Sequence, residues 1–133
     1  MTQRMLDTTT IGYLMRKHPQ VARRLSDTPA AEVCASVVTE REVRFGLAKR
    51  GVGSILEAAT DAFFATFKVL PWTRSTAAVY GKLRASRERR GRRLQPLDMM
   101  IAARSHERGL TLVTNDRALL STPGLTSEDW LAA

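Results

Sequence analysis

The chain has 133 residues, 44% of them apolar, and its 21 Lys and Arg outnumber 13 Asp and Glu to give a net charge of +8. That length suits one domain, able to bury roughly two-thirds of its unfolded surface. With no 18-residue apolar run and a single cysteine, a membrane span and a disulfide framework are both excluded.

Arg4-Met5-Leu6 reads as a short apolar strand, and Asp7-Thr8-Thr9-Thr10 as the polar turn feeding a helix over 11–17. Asp7 has two readings there: a helix cap, for which Asp and Thr are favoured, or an acid presented at the carboxyl end of a strand. Pro19 opens a second short helix over 20–25, and 28–30 is a loop. Residues 32–38 read as a buried strand in which Cys34 is a small hydrophobe. Thr39-Glu40-Arg41-Glu42 matches a capping box, in which Thr39 bonds the N3 amide and Glu42 reaches back to the cap amide. Glu42 also lies just past a strand end, so a functional carboxylate is the competing account. Its helix runs to Lys49, and 50–53 is the break.

Residues 54–67 place Ile55, Leu56, Ala59, Phe63 and Phe67 at helical spacing, which suits core or interface positions. A third strand covers 68–70 and stops at Pro71-Trp72. The helix over 75–89 ends in the densest basic run of the chain, with Arg84, Arg87, Arg90, Arg92 and Arg93. Such a run is either a solvated helix end beside its negative dipole terminus or a set of phosphate contacts. Pro96 suits the first turn of the next helix, and Gly109 is placed to close it in the left-handed conformation. Residues 110–113 form a short apolar strand, left by Thr114-Asn115-Asp116. A helical turn at 118–120, a last strand near Leu125 and a Trp130 packed on the sheet edge complete the chain. Alternation of this kind gives a parallel sheet with helices on both faces and right-handed crossovers. The expected fold is therefore α/β, a three-layer α/β/α sandwich with a short, mainly parallel sheet, in one domain over 1–133.

Four acids fall at strand ends or at the helix starts beside them: Asp7, Glu42, Asp98 and Asp116. A parallel sheet brings such ends to one edge. Two carboxylates 4 Å apart repel by about 1 kcal/mol in water and about 4 kcal/mol at an effective dielectric of 20. Three or four ionised together call for a cation. Oxygen-only ligands select Mg²⁺ or Mn²⁺ over zinc, for which Cys34, His18 and His106 offer no ligand spacing. The two histidines read as exposed helix residues. No phosphate-cradling Gly-rich loop, nucleophile elbow or CxxC occurs. A carboxylate-held metal in a cationic protein suggests phosphodiester hydrolysis, with basic residues supplying affinity for a polyanion. The first residues lack the apolar core of a signal peptide, so the cytoplasm is the expected compartment.

The same residues resemble a known family. Met5-Leu6-Asp7-Thr8, then Ser36-Val37-Val38-Thr39-Glu40-Arg41-Glu42 with Gly46, are similar to the opening half of PIN-domain ribonucleases. Val69-Leu70-Pro71-Trp72, Ala77 to Gly81, Pro96 to Ala103, Leu112 to Asp116, Pro123-Gly124-Leu125 and Trp130 continue the likeness in order. Each motif alone is weak, but the ordered series covers nearly the whole chain and looks specifically like the VapC toxins of bacterial toxin–antitoxin pairs. The resemblance implies a PIN-like fold and a Mg²⁺- or Mn²⁺-dependent endoribonuclease cutting structured RNA, commonly tRNA. It makes Asp7, Glu42, Asp98 and Asp116 the catalytic and metal-holding acids, with Thr8, Thr114 and Asn115 in support. It also implies a homodimer and a cognate VapB-like antitoxin that blocks the site. One departure stands out: Thr9 occupies a position that is usually Asn in the family, which puts the support of Asp7 in question. The other, Thr73 where relatives often have Asp, affects a cap or turn.

Two other classes compete. A non-catalytic basic module that only binds RNA or a protein partner would need no divalent ion. A phosphotransferase with Asp7 as nucleophile lacks the second Asp two residues on, because Thr9 is there.

Overall fold

The computed structural model describes residues 3–51 and 53–132. Five short parallel strands, β1 (Arg4–Leu6), β2 (Val33–Ser36), β3 (Lys68–Leu70), β4 (Thr111–Val113) and β5 (Ser127–Glu128), form one sheet in the order β3-β2-β1-β4-β5. Helices α1 (Thr8–Met15), α2 (Pro19–Ser26), α3 (Val37–Arg50), α4 (Ser54–Thr66), α5 (Arg74–Arg89), α6 (Pro96–Glu107) and α7 (Arg117–Leu120) lie between them.

Side chains alternate across a strand, so each strand feeds two cores. Met5, Cys34 and Leu112 point to one face, where they meet Ile101 and Ala102 of α6 and Leu119 of α7. Leu6, Val33, Ala35 and Val113 point to the other, where Ile11 of α1, Val21 of α2, Phe63 of α4 and Trp130 cover them. The three-layer α/β/α sandwich expected from the sequence is what forms. Cys34 is buried as expected, and burial pushes its thiol up to about 11. Gly109 adopts φ 64° just after α6, the conformation the helix end requires there. Trp130 is 2% exposed, and its indole N–H donates to Glu128 at 2.9 Å while the Arg24 guanidinium lies over the ring.

Several local expectations are corrected. The strand expected over 32–38 stops at Ser36, because the Ser36 hydroxyl accepts from the Val38 amide at 3.1 Å and so starts α3 there. Thr39 is then inside the helix, fully buried, with its hydroxyl unpaired, and there is no Thr39–Glu42 capping box. Replacing Ser36 with Ala is expected to lower the denaturant midpoint by about 1 kcal/mol of stability at unchanged m-value, the ordinary cost of a lost N-cap. The last strand is at Ser127–Glu128 and not near Leu125, since Glu128 is the residue that pairs with Val113. Of the two places expected for Ile55, the core is excluded: it is 82% exposed, which leaves the interface reading open. His18 is the residue preceding α2 and is partly buried against Tyr13, so only His106 is the exposed helix residue expected of both.

Candidate active site

The sheet order reverses between β1 and β4, since β2 and β3 extend from one side of β1 while β4 and β5 extend from the other. A crevice opens at such a switch point, outside the carboxyl ends of the strands. Asp7 follows β1 directly, and Asp116 lies three residues past the end of β4. Asp98 is in the first turn of α6, the helix whose chain runs on into β4. Topology thus brings three acids from remote stretches of sequence to one edge of the sheet.

Asp7 is 3% exposed and is the N-cap of α1, its Oδ1 accepting from the Thr10 amide at 2.8 Å. Asp7 is therefore a helix cap, and it also stands directly past the end of β1, where a carboxylate was expected. Burial raises its pKa, and the charge of Asp116 raises it further; the Thr114 hydroxyl and the amide and hydroxyl of Thr10 oppose the rise. Asp98 is raised by burial first, then by Asp116 and then by Asp7. These three carboxylates feel one another, which is the electrostatic signature of a shared site. Asp116 is exposed and caps α7, its Oδ1 accepting from the amides of Ala118 and Leu119 at 2.9 and 3.1 Å.

The supporting residues divide. Thr114 is fully buried, accepts from the Asp116 amide at 3.0 Å and bonds the Asp7 side chain, so one hydroxyl ties the two acids. Asn115 is partly buried between them in sequence. Thr8 occupies the first helical position of α1 and lines a neighbouring groove, whereas Thr10 bonds Asp7. Thr10 was missed in the sequence, although an Asp N-cap with a hydroxyl three residues on is a readable pattern. Its hydroxyl also donates to the Val113 carbonyl at 3.2 Å, which fastens the start of α1 to β4.

Glu42 stands apart. It lies in the second turn of α3, and its Oε1 accepts from Arg41 Nε at 3.2 Å and Nη2 at 2.9 Å. Among the described residues, no three His, Cys, Asp or Glu side chains stand close enough to close around one ion. The donor set itself fits a hard divalent cation: all oxygens, two of them on carboxyls whose ionisation burial and like charge oppose. Glu42 borders a groove of about 280 Å³ between α1, α3 and α4, with Met15, Val43, Leu47 and Leu56 in its apolar walls.

The basic run is split as well. Arg90, Arg92 and Arg93 are exposed, and Arg84 is exposed but bonded to Glu88 and to the Tyr80 hydroxyl. Arg87 is only 6% exposed, because its face of α5 turns inward where the chain folds back towards α6. The expectation of a fully solvated helix end fails there.

Residues 4–125 match the family model described as PIN domain. The chain is 32% identical to the tRNA(fMet)-specific endonuclease VapC of Salmonella typhimurium over 95% of its length and 96% of that protein's. It is 26% identical to ribonuclease VapC2 of Haemophilus influenzae, covering 98% of this chain and all of that one. The crystal structure of DNA-bound VapBC from Salmonella typhimurium contains a chain that superposes with a TM-score of 0.86 at 31% identity, over 98% of this chain and 99% of that one.

Proposed function

The chain belongs to the PIN-domain family, with VapC ribonucleases among its relatives, and from that premise we propose that it is a divalent-metal-dependent endoribonuclease toxin that cuts structured RNA, with tRNA as the substrate class. The observation carrying this reading is the convergence of Asp7, Asp98 and Asp116 at the switch point, where two of the three have raised pKa values. Mg²⁺ or Mn²⁺ is the assigned cofactor, held by Asp7, Asp98 and Asp116, with Glu42 joining once it leaves Arg41. Such an ion, when bound, supplies neutralisation of the phosphate and acidification of a coordinated water. The chain's own residues do the rest. Thr114 and Thr10 fix the Asp7 carboxylate, and Thr114 also fixes the backbone that presents Asp116. Asn115 extends that support, while the arginines Arg84, Arg87, Arg90, Arg92 and Arg93 draw the anionic substrate towards an acidic centre that would otherwise repel it.

The partner is a VapB-like antitoxin. The apolar groove that runs past Thr8 and Thr9 to Glu42 suits a peptide segment ending at the acids. Exposed Phe45 and Ile55, at 60% and 82%, supply apolar surface for the antitoxin or for a second copy in a homodimer. Among the described residues no helix is long and apolar enough to cross a membrane, and the cytoplasm, where tRNA is found, is the assigned compartment. The test is incubation of purified protein with total tRNA. Cleavage is expected with Mg²⁺, is expected to stop on chelation and to return on adding the ion back, and is expected to be absent from Asp7→Ala. Salt-sensitive RNA binding with no cleavage under any of these conditions would instead identify a non-catalytic binding module.

A further inference from the structure

We propose that the corner between α5 and α6 is a phosphate pocket for the RNA backbone flanking the cut, a proposal that rests on the ribonuclease reading. A cavity of about 260 Å³ opens there, lined by Arg84, Glu88, Arg93, Gln95, Pro96 and Met99 among others. Arg84 is held in place, its Nε donating to Glu88 at 2.8 Å and its Nη1 to the Tyr80 hydroxyl at 2.9 Å. Two of its three nitrogens are thereby occupied, and Nη2 remains for a ligand. Arg93 makes no ion pair among the described residues and lies near enough to Glu88 to lower the pKa of its carboxyl. Arg87, one turn beyond Arg84, is buried and does not line the cavity.

The charge agrees. Arg84 and Arg93 against Glu88 leave the lining at a net +1, and the N-terminus of α6 adds its positive dipole end, with Gln95 making no side-chain cap. A guanidinium fork matches the oxygens of a phosphodiester. The position decides which phosphate. Asp98 is in the same first turn as Gln95 and Pro96, about 5 Å along the helix axis from Gln95. A strand whose scissile phosphate faces Asp98 therefore carries a neighbouring phosphate into the corner. Arg90 and Arg92 do not line the cavity. The basic run is thus an organised pocket flanked by diffuse charge, and the pocket sets the register of the strand over the acids.

The experiment is fluorescence anisotropy of a labelled single-stranded RNA with the full-length protein in chelator, over a range of salt. Arg84→Gln/Arg93→Gln is expected to weaken binding about tenfold and to flatten the plot of log affinity against log salt by about 1.4, two contacts at roughly 0.7 each. Arg90→Gln/Arg92→Gln removes the same charge and is expected to cost several times less affinity. Unchanged melting temperatures establish that both variants are folded. Equal losses from the two double variants would reduce the corner to general electrostatics and overturn the pocket, as would parent-like binding by Arg84→Gln/Arg93→Gln. If the parent fails to cut RNA with Mg²⁺ while the pocket variant still loses affinity, the ribonuclease reading falls and the pocket stands. If the parent binds no RNA, both fall.

Discussion

Replacing Asp98 with Asn is expected to cut RNA cleavage by at least about a thousandfold while leaving the protein as stable as the parent or slightly more so. On the proposed metal site, the activity loss would follow from removing one charged ligand, which weakens both ion binding and the stabilisation that depends on it, a scale of about 4 kcal/mol or more in the transition state. The stability gain follows from the raised pKa. Burial and the charges of Asp116 and Asp7 oppose ionisation of Asp98, so at pH 7 its carboxylate works against folding. Relief of that strain is worth about 0.5 kcal/mol once solvent screening is counted. The sign with pH is fixed: the gain is present where Asp98 is ionised and fades as pH falls through its raised pKa, because both proteins are then neutral there. Kinetics with tRNA and melting curves at neutral and acid pH, in chelator, measure both. A variant that loses activity together with several degrees of melting temperature would mean that Asp98 serves the fold.

The largest expected effect on stability comes from Arg104, which is only 4% exposed. Its Nη1 donates to Glu107 at 2.8 Å and to the Thr76 hydroxyl at 3.3 Å. Glu107 also accepts from the hydroxyls of Ser75 and of Thr76, the latter at 2.7 Å. This cluster joins the start of α5 to the end of α6. Arg104→Ala is expected to cost about 3 kcal/mol, near 10 °C in melting temperature, because it strands a covered carboxylate. Arg104→Ala/Glu107→Leu is expected to recover much of that, since no unpaired charge is left. The Ser75 hydroxyl first, then Thr76 and Arg104, hold the Glu107 carboxyl down to about 2. A lowered pKa stabilises the fold fully above the ordinary value of 4.5, and the contribution drains away as pH falls from there towards 2. Acid denaturation of the parent should accordingly be steeper over that interval than that of Glu107→Gln. Equal acid sensitivity would remove Glu107 from the account.

What could be read from the sequence was whatever depends on neighbours a few residues apart. The short continuous apolar runs at Met5-Leu6 and Leu112-Val113 announce strands with two buried faces. Pro96 and Gly109 bracket α6, and Asp7 and Asp116 declare themselves by following those strands. Thr39-Glu40-Arg41-Glu42 misled because it satisfies a local rule that Ser36, three residues earlier, has already met. The burial of Arg87 and the Ser75–Thr76–Arg104–Glu107 cluster depend on α5 folding back along α6, and no short window contains both partners. Glu42 was readable as an acid near the site. Its grip by the adjacent Arg41 is a matter of side-chain rotamer, about which sequence spacing is silent.

The pairing of β1 with β4 joins residues more than a hundred positions apart, and that distance has a consequence in time. A chain growing from its N-terminus carries Asp7 more than a hundred residues before Asp116, and β1 has no β4 to pair with until that stretch has been made. The candidate site is therefore assembled late in synthesis, and the nascent polypeptide carries only part of it.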